Sequence, residues 1–165
     1  MRKLAALLSL LLVLSLSGCS GRGKAGFGQD DLVLTVSGRE YRVRDNIAVV
    51  LEALGDGYQY AEGRSCDYDG LDKTYTYPVA TFYTNPLAEG DLLEEIYSQS
   101  GEVSTSKGIK VGSSRADVLA AYGDPTDQDD WLLLYRAGEG PGNPALCFEI
   151  EDGAVAAIFL TVKAM

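Results

Sequence analysis

The chain has 165 residues, enough for one ordinary domain or two very small ones, and its 46% hydrophobic and 23% charged content is that of a folded protein rather than a disordered one. Its 24 acidic residues against 14 basic ones give a net charge of −10, which repels nucleic acid and anionic lipid head groups. Histidine is absent, which removes Ser-His-Asp and Cys-His nucleophilic machinery together with the commonest zinc ligand.

Arg2 and Lys3 precede an apolar run from Leu4 to Leu16 and then small residues, the pattern of a secretory signal over residues 1–18 rather than of a membrane span of about 20 residues. Its end, Leu16-Ser17-Gly18-Cys19, resembles the lipobox of bacterial lipoproteins. That resemblance implies cleavage before Cys19 and a diacylglycerol on its thiol. Acyl chains contribute about 0.8 kcal/mol per buried methylene, and two chains hold a protein stably where one does not. The expected location is therefore the extracytoplasmic face of a bacterial membrane, with the membrane itself as the first partner. Loss of Arg2 and Lys3 leaves 12 basic against 24 acidic residues, a net charge of −12, so the lipid and not electrostatics must hold the mature chain there.

Residues 19–31 are rich in glycine and read as a flexible tether. Gly21, Gly23 and Gly26 have the spacing of a dinucleotide-binding fingerprint, but a cleavage site stands where the required strand would be.

Residues 32–103 read as a first structural unit. Leu32 to Val36 and Glu40 to Val43 flank Ser37-Gly38 as a hairpin. The period then becomes helical from Asn46 to Leu54, with Ile47, Val50, Leu51 and Leu54 on one face and Gly55 as the stop. Strands are expected at Thr74–Tyr77 and Ala80–Thr84, a turn at Asn85-Pro86, and a third strand at Leu92–Ser98.

Residues 104–165 read as a second unit. Val43 to Gly57 aligns without a gap on Val111 to Pro125, pairing Val50 with Val118, Leu51 with Leu119, Gly55 with Gly123 and Asp56 with Asp124. Ser114 and Asp117 approximate a capping box, Val118, Ala121 and Tyr122 form the apolar stripe, and Gly123-Asp124-Pro125 ends the helix. Strands follow at Trp131–Arg136, Ala145–Glu151 and Ala154–Lys163, with Asp152-Gly153 as the hairpin signal. The expected fold class is α+β, two tandem repeats, each a short helix packed on an antiparallel β-meander.

Four motifs invite chemistry. Ser104-x-x-Lys107 has the spacing of the activated serine in penicillin-binding proteins, without the further Ser-Asp-Asn and Lys-Thr-Gly elements. Asp67, Asp69 and Asp72 resemble a calcium loop, but the glycine and the final glutamate of an EF-hand are out of place, so no metal and no cofactor are expected. Asp124, Asp127, Asp129 and Asp130 form a run that reads as solvated. Cys66 and Cys147 belong to an exported chain, yet they fall at different relative places in the two units and Cys147 lies in a strand pattern, which argues against a bridge.

The aromatic residues remain. Tyr75 and Tyr77 share one strand face, and so do Trp131 and Tyr135, giving each unit an aromatic ridge that either packs beneath its helix or faces solvent as a protein-binding surface.

Gly112-Ser113-Ser114, Val118, Gly123-Asp124-Pro125, Trp131, Tyr135, Phe148 and Asp152-Gly153-Ala154-Val155 resemble the outer-membrane lipoprotein family that includes BamE (SmpA/OmlA), and its fold relative, the β-lactamase inhibitory protein. The resemblance covers Gly108 to Val155 well and Val43 to Ser98 loosely. It departs at Ser113, where methionine is usual, at Tyr122, where leucine is usual, and at Gly57, where proline is usual. It implies a non-enzymatic lipoprotein with an envelope protein as partner and a sheet surface as the contact. The alternative is a small-ligand sensor or envelope hydrolase with a pocket between the units, lined by carboxylates with Lys107 or Arg64.

Overall fold

The computed structural model describes residues 26–140 and 142–163. The signal, Cys19 and the first part of the tether lie outside the described residues. Among the described residues no helix is long and apolar enough to cross a membrane.

The first hairpin forms as the sequence predicts. Strands β1 (Leu34–Val36) and β2 (Arg39–Tyr41) pair with Val36 opposite Arg39, leaving Ser37 (φ 50°) and Gly38 (φ 78°) as a two-residue left-handed turn. Such a turn matches the twist of the strands it joins. Helix α1 (Ala48–Leu54) buries Ile47 and Val50 and stops at Gly55, whose φ of 70° suits glycine. Ile47 takes the N-cap position and has no side-chain cap, while Asn46 Oδ1 accepts from the Ala48 N–H at 3.0 Å.

Four strands follow: β3 (Gln59–Arg64), β4 (Leu71–Thr76), β5 (Thr81–Leu87) and β6 (Gly90–Ser98). The expected turn at Asn85-Pro86 is instead part of β5. Pairing between β4 and β5 has already ended at Lys73 and Thr84, so a residue without an N–H is tolerated there. After β7 (Ser104–Thr105) comes helix α2 (Arg115–Tyr122), closed by the predicted capping box: Ser114 Oγ accepts from the Asp117 N–H at 3.1 Å, and Asp117 Oδ2 accepts from the Ser114 N–H at 3.0 Å. Then come β8 (Asp127–Gln128), β9 (Leu132–Arg136), β10 (Ala145–Glu151) and β11 (Ala154–Thr161), the last two turning at Asp152-Gly153 as expected.

The expected α+β pair of helix-on-meander units is not what forms. The described residues are mostly β, and their two α-helices have only 7 and 8 residues. The strands on either side of α2 merge into one eight-stranded antiparallel sheet, in the order β3-β4-β5-β6-β11-β10-β9-β8. The seam runs from Ser98 opposite Ile158 to Glu95 opposite Thr161. A second sheet, β2-β1-β7, pairs Leu34 with Thr105 and so crosses the expected boundary between residues 103 and 104. The physical reason is edge pairing: a separate meander would leave the long strands β6 and β11 with open hydrogen-bonding edges, and two-turn helices cover too little apolar surface to stabilise separate units.

Both helices and the small sheet lie on one face of the large sheet. Across that face Tyr135, Leu146, Leu160, Ile96, Phe82 and Tyr75 stand side by side in register, all buried. They join Leu34, Val36, Val50, Val118 and Tyr122 in a single core. The next row, Leu134, Cys147, Phe159, Tyr97, Thr81 and Thr76, points to the opposite face.

Candidate interaction surface

Of the four aromatic residues singled out for partner binding, Tyr75, Tyr77 and Tyr135 are no more than 7% exposed, and only Trp131, at 58%, is open to solvent. The three tyrosines belong to the core because their alternation puts them on the helix-bearing face. The Tyr77 hydroxyl donates to the Gly55 carbonyl at 2.6 Å and the Tyr135 hydroxyl to the Gly123 carbonyl at 3.0 Å, so each ties the sheet to the residue that ends a helix. Burial pushes the Tyr135 phenol up to about 12. Trp131 immediately precedes β9. Its N–H donates to Asp129 Oδ1 at 2.9 Å, and its carbonyl accepts from the Ile150 N–H at 2.7 Å.

The opposite face carries a separate apolar cluster, Leu132, Leu134, Ala145, Cys147 and Phe159, each at most 9% exposed, with the half-buried Tyr97 packed against it and, among the described residues, no helix residue in it. The rings of Tyr97 and Phe159 lie 6.0 Å apart and tilted by 35°, and the Tyr97 hydroxyl donates to Glu149 Oε2 at 3.3 Å. Lys163 Nζ stands 3.0 Å from Glu94 Oε2 and 5.1 Å from the centre of the Tyr83 ring. Burial pushes the Cys147 thiol up to about 12, with Arg136 opposing and Glu95 and Glu149 adding to the shift, so charged side chains stand around the cluster. A thiol with that environment is inert at neutral pH. Cys66 is exposed in the loop after β3, and the two cysteines are not bridged to each other. The aromatic residues on this face, Tyr83, Tyr97 and Phe159, are the ones sequence reading passed over. Their signal was parity: each is adjacent in sequence to a core residue, Phe82, Ile96 or Leu160.

An open groove of about 650 Å³ lies at one end of β5 and β6, where Arg44, Asp67, Glu89, Glu94 and Lys163 surround Leu87, Leu92 and Val162. Lys107 and Arg64, the basic residues expected in a pocket, do not line it.

Lys107 is engaged elsewhere. Its Nζ stands 3.1 Å from Asp31 Oδ2 and 4.6 Å over the Tyr122 ring, and donates to the carbonyls of Ala121 (3.2 Å) and Gly26. Ser106 Oγ donates to Asp31 Oδ1 at 2.8 Å. Thr105 Oγ1 accepts from the Tyr122 hydroxyl at 2.7 Å. The Ser104–Lys107 segment thus fastens the N-terminal strand of chain to α2. Phe27 completes the fastening, its ring 5.6 Å from that of Tyr135 and 6.3 Å from that of Tyr122. Residues 26–31, assigned to the tether by composition, are docked on the domain.

The remaining acidic motifs have local roles. In the 65–72 loop, Ser65 Oγ accepts from the N–H groups of Asp67 (3.3 Å) and Tyr68 (3.2 Å), and among the described residues no three side chains are grouped to hold a metal. After α2, Asp129 Oδ1 caps the start of β9 by accepting from Leu132 N–H at 2.8 Å as well as from Trp131.

No family model, curated protein or solved structure matches this chain. The reading of its role therefore rests on the residues themselves.

Proposed function

We propose that this chain is a non-enzymatic bacterial lipoprotein, held at the extracytoplasmic face of a membrane through Cys19, and that it presents the face of its large sheet opposite α1 and α2 to a protein of the cell envelope. The observation that carries the reading is that the half-buried Tyr83 and Tyr97 stand on the sheet face opposite both described helices, beside an apolar cluster that is itself at most 9% exposed, with Glu95, Glu149 and Arg136 around it. An apolar centre with aromatic residues and a charged rim is the composition of a protein contact surface. The docking of Phe27 and Asp31 adds support, because it leaves only the short stretch from Cys19 to Ala25 between the proposed lipid and the domain. Kinship with the BamE family, suggested by residues 108–155, belongs to the same proposal and concerns the scaffold only.

The test uses the full-length protein in its membrane. Cys19→Ala should abolish diacylglycerol labelling and leave the precursor uncut. Tyr97→Ala with Tyr83→Ala should lose the envelope proteins that the wild type retains, while Trp131→Ala keeps them. Lipid labelling of Cys19→Ala, or equal retention by the Tyr83/Tyr97 variant, would refute the corresponding half of the proposal.

A further inference from the structure

The two edges of the large sheet are built differently. At one end β8 has only 2 residues, which leaves little edge to pair with. At the other end β3 runs for 6 residues, Gln59 to Arg64, all exposed, with an unbroken register to β4 and neither proline, lysine nor bulge to protect it. Tyr60, on this strand, is 47% exposed and Leu71, opposite Arg64, is 41% exposed, two of the five large apolar side chains open to solvent among the described residues.

Gly63 is unexplained within one copy. It has no left-handed φ, it interrupts no register, and a Cβ built on it would meet nothing within 4 Å. A glycine inside a strand weakens it, and where no bulge requires one it marks a close approach by another backbone. The Ser65 N–H donates to the Gly70 carbonyl, so by alternation Arg64, Glu62 and Tyr60 turn their N–H and C=O groups away from β4, toward the open edge.

We propose that β3 pairs with β3 of a second copy of this chain, antiparallel across a two-fold axis, with Gly63 opposite the second copy's Gly63. Glu62 then stands opposite the second copy's Arg64, and the reverse, so that two charge pairs and two sets of backbone hydrogen bonds form at once. Arg64 has no hydrogen-bond or ion-pair partner among the described residues of its own copy, and this register supplies one. Sliding by one residue on each copy would put Glu62 against Glu62 in one direction and Arg64 against Arg64 in the other. Charge thus selects the Gly63-centred pairing. The contact leaves the face opposite α1 and α2 clear and does not depend on the lipid anchor.

The full-length protein with Cys66→Ser tests it. Two glycines so placed are about 4.5 Å apart at Cα, within the span of a disulfide, whereas Gln59 would lie roughly 27 Å from its counterpart. Mild oxidation of Gly63→Cys should convert most of the protein to a covalent dimer, and Gln59→Cys should give at least tenfold less. With Gly63 intact, Glu62→Arg should lower the dimer fraction at least fivefold in detergent solution, and adding Arg64→Glu should restore it. Equal cross-linking at positions 59 and 63, a cross-link from position 63 to a different protein, or no recovery in the charge-swapped variant would overturn the proposal.

Discussion

The Tyr77 hydroxyl reaches across 2.6 Å to the carbonyl of Gly55, joining the first meander to the end of the helix that lies on it. Tyr135 does the same for Gly123. Each phenol satisfies a carbonyl that the end of its helix leaves without an intrahelical donor, while its ring fills the core. Tyr77→Phe and Tyr135→Phe should each lower the unfolding free energy by about 1 kcal/mol, measured by denaturant titration, and replacement of either by alanine by about 3 kcal/mol or more.

Tyr135 also sets a pH dependence. Burial raises its phenol from 10 to about 12, so the folded state holds the proton more tightly than the unfolded state does. The associated stability is complete below pH 10 and is lost as the pH rises toward 12. Thermal unfolding of the wild type should weaken across that interval, and Tyr135→Phe should weaken less steeply.

The two described cysteines should separate by reactivity. Cys66 is exposed and Cys147 buried with its thiol raised to about 12. A maleimide at pH 8 should modify Cys66 within minutes and Cys147 only after denaturant is added, as read by mass spectrometry of the peptides.

Lys107 should control the N-terminal segment. Its partners Asp31, Gly26 and Ala121 join three parts of the chain, and the ammonium and Asp31 carboxylate are largely enclosed. Lys107→Met should lower stability by about 1–3 kcal/mol and speed amide exchange over residues 27–31 more than elsewhere. Phe27→Ala should produce the same local exchange without altering a charge.

Local signals in the sequence proved sufficient for local structure. Ser37-Gly38, Asp152-Gly153, the Ser114–Asp117 box and the glycine stops at 55 and 123 all form as their chemistry requires. Long-range pairing was not legible, since nothing in β6 or β11 alone states that their edges meet. Strand β3 was missed because Gln59 to Arg64 has no buried alternation to read, and Phe27 because a glycine-rich stretch hides one ring that packs. Tyr75 and Tyr135 drew attention as aromatics, but the face they occupy depends on where the helices lie. Once that is known, the alternate positions, with the half-buried Tyr83 and Tyr97 among them, fall on the other face.

The claim that the sheet face opposite α1 and α2 is the contact surface is tested most directly by photocross-linking in intact membranes. A photoreactive phenylalanine derivative placed at Tyr97, on that face, should yield a discrete adduct with an envelope protein, and the same derivative at Val49, exposed on α1, should not. An adduct from position 49 with none from position 97 would contradict the account.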